Sequence, residues 1–431
     1  MSGLKSSPPL WLGIDFGTSG ARAIAIDQAG TVQAMTTEAW ESPDRPQDYP
    51  VLWLQALETL VRDLPARVRR GLQAIAINGT SATTLLCDRA GRPLGEPLLY
   101  NDSRGRDYLE ALRERAPTQS AALSATSSLV KLLWYAQQPV AEAGASWMHQ
   151  SDWLGYQLHG HLGISDYHNA LKLGYDVEQL AYPPWLLALL TPQSRPWLPR
   201  VLAPGTPVGP VLPALAARWG LAPTCQVCTG TTDSIAAFLA SGAHQPGEAV
   251  TSLGSTLVVK LLSHTKVDEA AAGIYSHRLG NLWLTGGASN TGGAVLRHFF
   301  SEAELATLSA QIDPAQASPL YYYPLLRPGD RFPINDPQLP PQLTPRPADP
   351  GAFLHGLLES MARIEAQGYA RLQVLGATPL QRVFTAGGGA QNATWTAIRQ
   401  RCLGVPVTTA AQIQAAYGSA RLAQGTLGFN S

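Results

Sequence analysis

The polar and apolar positions of this chain fall into short apolar runs that end in turns rich in glycine and hydroxyl side chains. Two runs, ending at Ile14 and resuming at Ala23, flank a polar turn carrying Gly17 and Gly20, a pattern that predicts a β-hairpin. A third strand is expected over Thr31–Thr37 and an amphipathic helix over Tyr49–Leu64. The apolar run Leu72–Asn78, bounded by Gly71 and Gly79, reads as a buried strand that delivers Gly79-Thr80-Ser81-Ala82-Thr83 to its end. Further strands are predicted at Thr84–Asp88 and Glu96–Tyr100, followed by the polar group Asn101, Asp102, Ser103, Arg104. Helices then dominate to about Gly160, among them Ser128–Gln138 and Ser151–His159. Ser165–Asp176 is unusually polar for a segment between helices, and the proline-rich Pro192–Pro213 reads as an extended connection. The whole is a sheet that receives helices on its faces.

A second sheet begins at Gln226–Ser234, a strand running into a Gly/Thr turn and the helix Ile235–Ser241. Glu248–Lys260 contains Thr251-Ser252-Leu253-Gly254-Ser255-Thr256, and Ile274–Thr285 alternates around Gly280-Asn281 as a hairpin. Gly286–Asn290 is expected to be a turn opening a helix through Phe300. Tyr321–Pro350 is proline-rich with little regular structure, and Phe353–Leu375 is the longest predicted helix. The strand Val383–Ala386 stops in Gly387–Asn392, and a last helix, Ala411–Gln424, holds Gly418 among small residues, a sign of close packing. One design therefore occurs twice, near Asp15–Ser19 and again near Asp233 and Leu253–Thr256. Two such turns facing one another would clamp a triphosphate without a P-loop, whose signature the sequence lacks.

At 431 residues the chain has room for two or three domains, and 45% hydrophobic residues exclude disorder. Lys plus Arg and Asp plus Glu balance at 31 each, which argues against nucleic acid or an anionic membrane as partner and for a small ligand. Met1–Pro9 reads as neither signal peptide nor spanning helix. Four cysteines suit a reducing cytoplasm; Cys225 and Cys228 form a lone C-x-x-C in a strand-like run and read as buried small hydrophobes.

Glycines at the first turn let successive N–H groups point at an anion, with Thr18 and Ser19 as further donors. Asp15, at the end of the first strand, needs a cation between itself and that anion, and Mg²⁺ held largely through water is the natural one. The same residues also make an ordinary turn. Asp233 has two readings as well, a helix N-cap and a general base.

Taken together, Ile14-Asp15-Phe16-Gly17-Thr18-Ser19, Gly230-Thr231-Thr232-Asp233-Ser234, Gly387–Asn392 with Trp395, and the helix with Ala415, Ala416 and Gly418 resemble, in order, the motifs of the FGGY carbohydrate kinases of the actin, Hsp70 and hexokinase superfamily. The resemblance implies an α/β fold of two ribonuclease-H-like domains with a central nucleotide and sugar cleft: a sugar-binding domain of residues 1–241 plus 410–431, and a nucleotide-binding domain of 242–409. It implies a phosphotransferase using ATP and Mg²⁺, with Asp233 as base, Thr18 donating to the transferred phosphoryl, and Asp15 with Asp233 at the metal. Sugar contacts are implied at Asp15, Ser19, Gly20, Ala21, Arg22, Ser81, Asp102 and Asp233, in a polar pocket that also includes Arg104 and Asp166. ATP contacts are implied at Gly17, Thr18, Gly254, Ser255, Thr256, Gly286, Gly287, Gly388, Gly389, Asn392 and Trp395, the last two beside the adenine. The expected partners are a sugar and ATP, with the protein a cytoplasmic monomer or dimer.

Gly79-Thr80-Ser81 stands where many members carry a Met-His-Gly type loop, and Tyr100-Asn101-Asp102-Ser103-Arg104 departs from the family's Trp-Gln-Asp-x-Arg. The Gly79-Thr80-Ser81 loop, with Ser165–Lys172 and His244–Glu248, resembles the small cyanobacterial and plastid branch regarded as D-ribulose kinases. D-Ribulose is therefore the expected sugar, with D-xylulose the alternative. A nucleotide-dependent switch of the actin or Hsp70 type is the rival from another class, and a phosphatase of the superfamily a third.

Overall fold

The computed structural model describes residues 8–425. Residues 1–7, on which the reading of the leading segment rests, and 426–431, at the end of the expected first domain, lie outside the described residues. The chain forms two compact units, one from the residues up to Ala240 together with those from Gln414 onward, the other from Ser241 to Ile413.

In the first unit, β1 (Leu10–Phe16), β2 (Gly20–Ile26) and β3 (Val32–Ala39) make an antiparallel meander, and β4 (Leu72–Gly79) lies parallel to β1. Two small sheets follow, β5 (Thr84–Cys87) with β6 (Ser146–His149) and β7 (Ile164–Asp166) with β8 (Arg200–Leu202). Then β9 (Pro207–Pro210) and β10 (Gln226–Thr232) complete a six-stranded sheet of order β3-β2-β1-β4-β10-β9. Because β1, β4 and β10 are parallel, Asp15, Asn78 and Thr231 occupy neighbouring positions at one edge of the sheet. Alternate residues Leu12, Ile14 and Phe16 of β1 and Ile75 and Ile77 of β4 enter a core shared with Trp53, Leu57 and Leu60 of the helix Tyr49–Arg62.

The second unit repeats the plan with β11 (Glu248–Leu253), β12 (Leu257–Ser263), β13 (Tyr275–Leu279), β14 (Leu282–Ser289), β15 (Arg382–Ala386) and β16 (Val407–Thr409), in the order β13-β14-β12-β11-β15-β16. Here β11, β15 and β16 are parallel. The helix Pro350–Val374 lays Phe353, Leu357, Leu358 and Met361 on this sheet's core beside Val259 and Val383.

Several expectations are corrected. Glu96–Tyr100 is no strand: only Leu98 pairs, with Thr84, because Pro97 offers no N–H to a ladder. Gly286 to Ser289 are not a turn but the end of β14, where Gly286 pairs with Lys260 and Gly287 with Val259, and the helix starts only at Gly293. Pro192–Pro213 contains the short strands β8 and β9, prolines being tolerated at a sheet edge. The helix from Ser128 stops at Tyr135, four residues before Pro139, and the last helix begins at Ala415. Cys225 and Cys228 are buried, and burial pushes their thiols up to about 12 and about 11, so both behave as small hydrophobes.

The C-terminal helix Ala415–Gln424 joins the first unit by lying between β1 and the helix Asp233–Ala240. Two glycines permit the approach: a Cβ on Gly13 would stand 2.0 Å from the Ala416 carbonyl oxygen, and one on Gly418 would stand 1.8 Å from that of Ala236. Gly418→Ala is therefore expected to lower stability by about 1–3 kcal/mol in denaturant melts through overpacking. Gly388→Ala, whose Cβ would meet nothing within 4 Å, serves as the control and should change stability little.

Candidate functional site

In the first unit, the side chains singled out in the sequence collect at the carboxyl ends of β1, β4 and β10, where open α/β sheets bind ligands. The β1–β2 turn is closed by Gly17 N–H donating to the Gly20 carbonyl at 2.9 Å and is held from outside by Trp40, whose Nε1 donates to the Thr18 carbonyl at 3.2 Å. The hydroxyls of Thr18 and Ser19 remain exposed. Gly20 is required by the closeness of the β3 backbone, since a Cβ would stand 2.7 Å from the Glu38 carbonyl oxygen. Ala21 faces the core, and Arg22 lies opposite Asp15 across the hairpin while donating to Gln414.

Asp15 and Asp233 form the electrostatic centre of this edge. Asp233 opens the helix after β10, its Oδ1 accepting the Ser234 N–H at 2.7 Å. Burial first, and then the Asp233 charge, raise the Asp15 carboxyl to about 6, with Arg22 opposing. A carboxylate made costly to ionise by burial and by a neighbouring carboxylate is a donor that a hard divalent cation relieves, so Asp15 with Asp233 nearby fits such an ion.

Around this pair the structure places the other expected residues unevenly. Ser81 is half-buried in the loop after β4, which is pinned where Thr80 N–H donates to Gln150 Oε1 at 3.1 Å. Its neighbour Ala82 has φ of 64°, a left-handed conformation that costs a non-glycine residue roughly 1–2 kcal/mol. Asp102 accepts from Arg104 N–H and from its guanidinium, which also reaches Glu96. Asp166 departs from its expected place in a polar pocket. It is fully buried and caps the helix Tyr167–Ala170, accepting from His168 N–H at 2.8 Å and Asn169 Nδ2 at 2.6 Å. Burial, with Asp152 nearby, raises its carboxyl to about 8.

Three residues beside the edge received no individual role from the sequence. His168 Nδ1 pairs with Thr231 Oγ1 at 2.7 Å, locking the segment after β7 to β10. Lys172 follows on that segment, close enough to Asp233 to feel its charge, while burial lowers the lysine's pKa. Lys131 is wholly buried, and burial lowers its pKa to about 7. The available signal was a lone charge inside an apolar run, as in Leu129-Val130-Lys131-Leu132-Leu133.

In the second unit, Gly254, Ser255 and Thr256 form the β11–β12 turn. Gly254 N–H donates to the Thr256 carbonyl, and the turn is backed by Gly293 N–H on the Gly254 carbonyl at 2.9 Å and Ala294 N–H on that of Ser255. Gly292-Gly293, rather than Gly286-Gly287, thus adjoin this turn; the latter pair are buried in mid-sheet, where a Cβ on Gly287 would strike the Phe332 ring at 2.4 Å. After β15, Gly388 is exposed with open space above it. Trp395 departs from the expected place beside a bound adenine: only 2% of it is exposed, and it supports Gly389 from the core. Asn392 caps the following helix, Oδ1 accepting from Trp395 N–H and Nδ2 donating to Ser309 Oγ. Beneath both turns lies a fully buried ion pair, Arg399 with Glu365, in which Arg399 donates to Thr385 of β15 and Glu365 accepts from Thr251 of β11. Four hydrogen bonds also converge on buried Asp330, two of them from Ser289 Oγ and Asn290 N–H at the end of β14.

Among the described residues no helix is long and apolar enough to cross a membrane. Residues 10–240 match the N-terminal domain of the FGGY family of carbohydrate kinases, and residues 249–425 match its C-terminal domain. The chain is similar to a xylulose kinase of Escherichia coli, 25% identical over 96% of this chain and 90% of that protein. It is also similar to an L-fuculokinase of Salmonella typhi, 23% identical over 91% of this chain and 87% of that protein. Among solved structures, a xylulose kinase from Rhodospirillum rubrum superposes with a TM-score of 0.85 at 23% identity, covering 98% of this chain and 91% of that one.

The charge coupling at the first edge yields a direct test. In Asp233→Asn protein free of divalent ions, the Asp15 carboxyl should titrate below its value of about 6, because one of the charges raising it is gone. Carbon-detected NMR titration of Asp15 reads this, and an unchanged midpoint would show that the two groups do not interact.

Proposed function

The chain belongs to the FGGY family of carbohydrate kinases, and from that premise we propose that it transfers the γ-phosphoryl of ATP to a hydroxyl of a ketopentose, D-ribulose in preference to D-xylulose. The observation that carries this reading is the pair Asp15 and Asp233 at the carboxyl ends of parallel strands, beside a glycine turn with exposed hydroxyls. Names of relatives add to it: xylulose kinases recur among them, which favours a ketopentose.

In this reading Asp233 takes the proton from the attacking sugar hydroxyl, and Thr18 with the Gly17 backbone donates to the phosphoryl oxygens. Asp15, with Asp233, would hold Mg²⁺, which when bound neutralises charge on the phosphates. Ser19, Gly20, Ala21, Arg22, Ser81 and Asp102 would contact the sugar. In the second unit the turn Gly254–Thr256 and the open backbone at Gly388 serve ATP. The division into a sugar-binding domain, 1–241 with 410–431, and a nucleotide-binding domain, 242–409, and a cytoplasmic location, belong to the same proposal. A protein-partnered nucleotide switch has no use for a sugar pocket containing Ser81 and Asp102, so ketopentose-dependent release of ADP separates the two.

Asp233→Ala is expected to lower sugar phosphorylation by about 10²–10⁴-fold while ATP still binds and the melt stays cooperative. Near-normal turnover would remove Asp233 from the chemistry, and loss of folding alone would leave it a structural role at the helix start.

The preference between sugars is argued from polar satisfaction. D-Ribulose and D-xylulose differ only at C3, and a buried donor or acceptor left unpaired by the wrong isomer costs about 1–3 kcal/mol. The Ser81 hydroxyl, in the loop that departs most from the xylulose-kinase pattern, is the group assigned to that contact. A kcat/KM advantage of at least about tenfold for D-ribulose is expected, equivalent to one hydrogen bond, and Ser81→Ala should shrink it. Equal efficiency on both sugars in the unmodified enzyme, or an unchanged ratio in Ser81→Ala, would remove the basis for preferring D-ribulose.

A further inference from the structure

Lys131 is buried without any exposed surface in the helix Ser128–Tyr135, yet it is not idle. Its Nζ donates to the carbonyl oxygens of Ala82 and Leu99, each at 2.6 Å. Ala82 is the left-handed residue directly after Ser81. The Leu99 carbonyl also accepts the Asp102 N–H at 2.9 Å, so one oxygen joins the lysine to the turn that carries Asp102. The helix offering the lysine is itself anchored, with Ser127 Oγ accepting from Val130 N–H and Ser128 Oγ paired with His149 Nε2 at 3.0 Å.

We propose that Lys131 is a positioning residue that clamps the loop after β4 to the Leu99–Asp102 turn, and so sets the spacing between Ser81 and Asp102 on which sugar recognition depends. This rests on the kinase reading above. Its physical basis is that a buried ammonium is costly, and an apolar side chain of equal length would fill the same volume without that cost. What the apolar chain lacks is the pair of donors. An amine keeps two N–H groups whether or not it is protonated, enough for both carbonyls, so the clamp does not depend on the lysine's charge. Without it, Ala82 has less to hold it in a conformation it would otherwise leave, and Ser81 moves with it.

The test uses Lys131→Met, close in size and without donors, and Lys131→Gln, which keeps a shorter amide donor. With the best ketopentose, Lys131→Met should raise the sugar KM at least about tenfold while the ATP KM stays within about twofold, and Lys131→Gln should fall between. Adding Ala82→Gly to Lys131→Met should recover part of the sugar KM, because glycine adopts the positive φ unaided. Hydrogen exchange of the Thr83 and Asp102 amides in unliganded protein should be faster in Lys131→Met, a readout that needs no substrate. An unchanged sugar KM in folded Lys131→Met, a parallel rise in both KM values, or failure of both variants to fold would overturn the proposal. Failure of the kinase reading shows itself differently, as no ketopentose-dependent ADP release by the unmodified protein.

Discussion

The first unit depends on a close approach of backbones. The C-terminal helix Ala415–Gln424 touches β1 through Gly13 and the helix Asp233–Ala240 through Gly418, with main-chain atoms where side chains normally stand. Ser419 on the same helix accepts from Asn78 Nδ2 of β4 at 2.8 Å. One helix thereby fixes two strands and a second helix, the elements at whose ends Asp15, Gly79 and Asp233 stand. Packing at this distance leaves no slack, since protein interiors are filled to crystalline density and a single methyl group must displace backbone. The carboxylate pair inherits its geometry from that contact.

Around this rigid frame the polar side chains are tied down in layers. Ser128, His149 and Asp152 form a buried chain of hydrogen bonds, and Asp166, Asn169 and Ser151 form another beside it. Their serine, histidine and aspartate are arranged as in a nucleophilic triad, yet full burial leaves no path for a substrate, and their effect is to hold the loops that bear Ser81 and Lys172. The second unit uses the same device with different residues: Arg399, Glu365, Thr251 and Thr385 satisfy one another beneath the Gly254 and Gly387 turns. Buried polar groups paired this completely stiffen what lies above them, because each would be costly if its partner moved.

Some residues prominent in the sequence serve the frame. Trp395 is buried against Gly389, and Asp166 caps a helix. The reverse also holds, since Lys131 attracted no attention in its apolar surroundings. Motif position marks a neighbourhood, and burial then decides which member of it faces a ligand. A tryptophan one turn into a helix points inward or outward according to that helix's docking angle, which no local pattern records.

The sequence by itself determined most of the strands and helices, the glycine and hydroxyl turns after Asp15 and Leu253, the family and the α/β class, because hydrophobic period and turn chemistry are local properties of the chain. It also marked Gly418 as a contact point, since small residues in a helix imply a neighbour at short range. Only the tertiary structure decided that Gln226–Thr232 joins the first sheet and does not begin a second. It also decided that Gly286 and Gly287 lie inside a strand, that Gly292 and Gly293 stand against the Gly254 turn, and that Asp15 and Asp233 share one edge. The physical reason is distance along the chain: Asp15 and Asp233 are neighbours because β1, β4 and β10 pair in parallel, and parallel pairing joins segments whose register no short stretch of sequence contains.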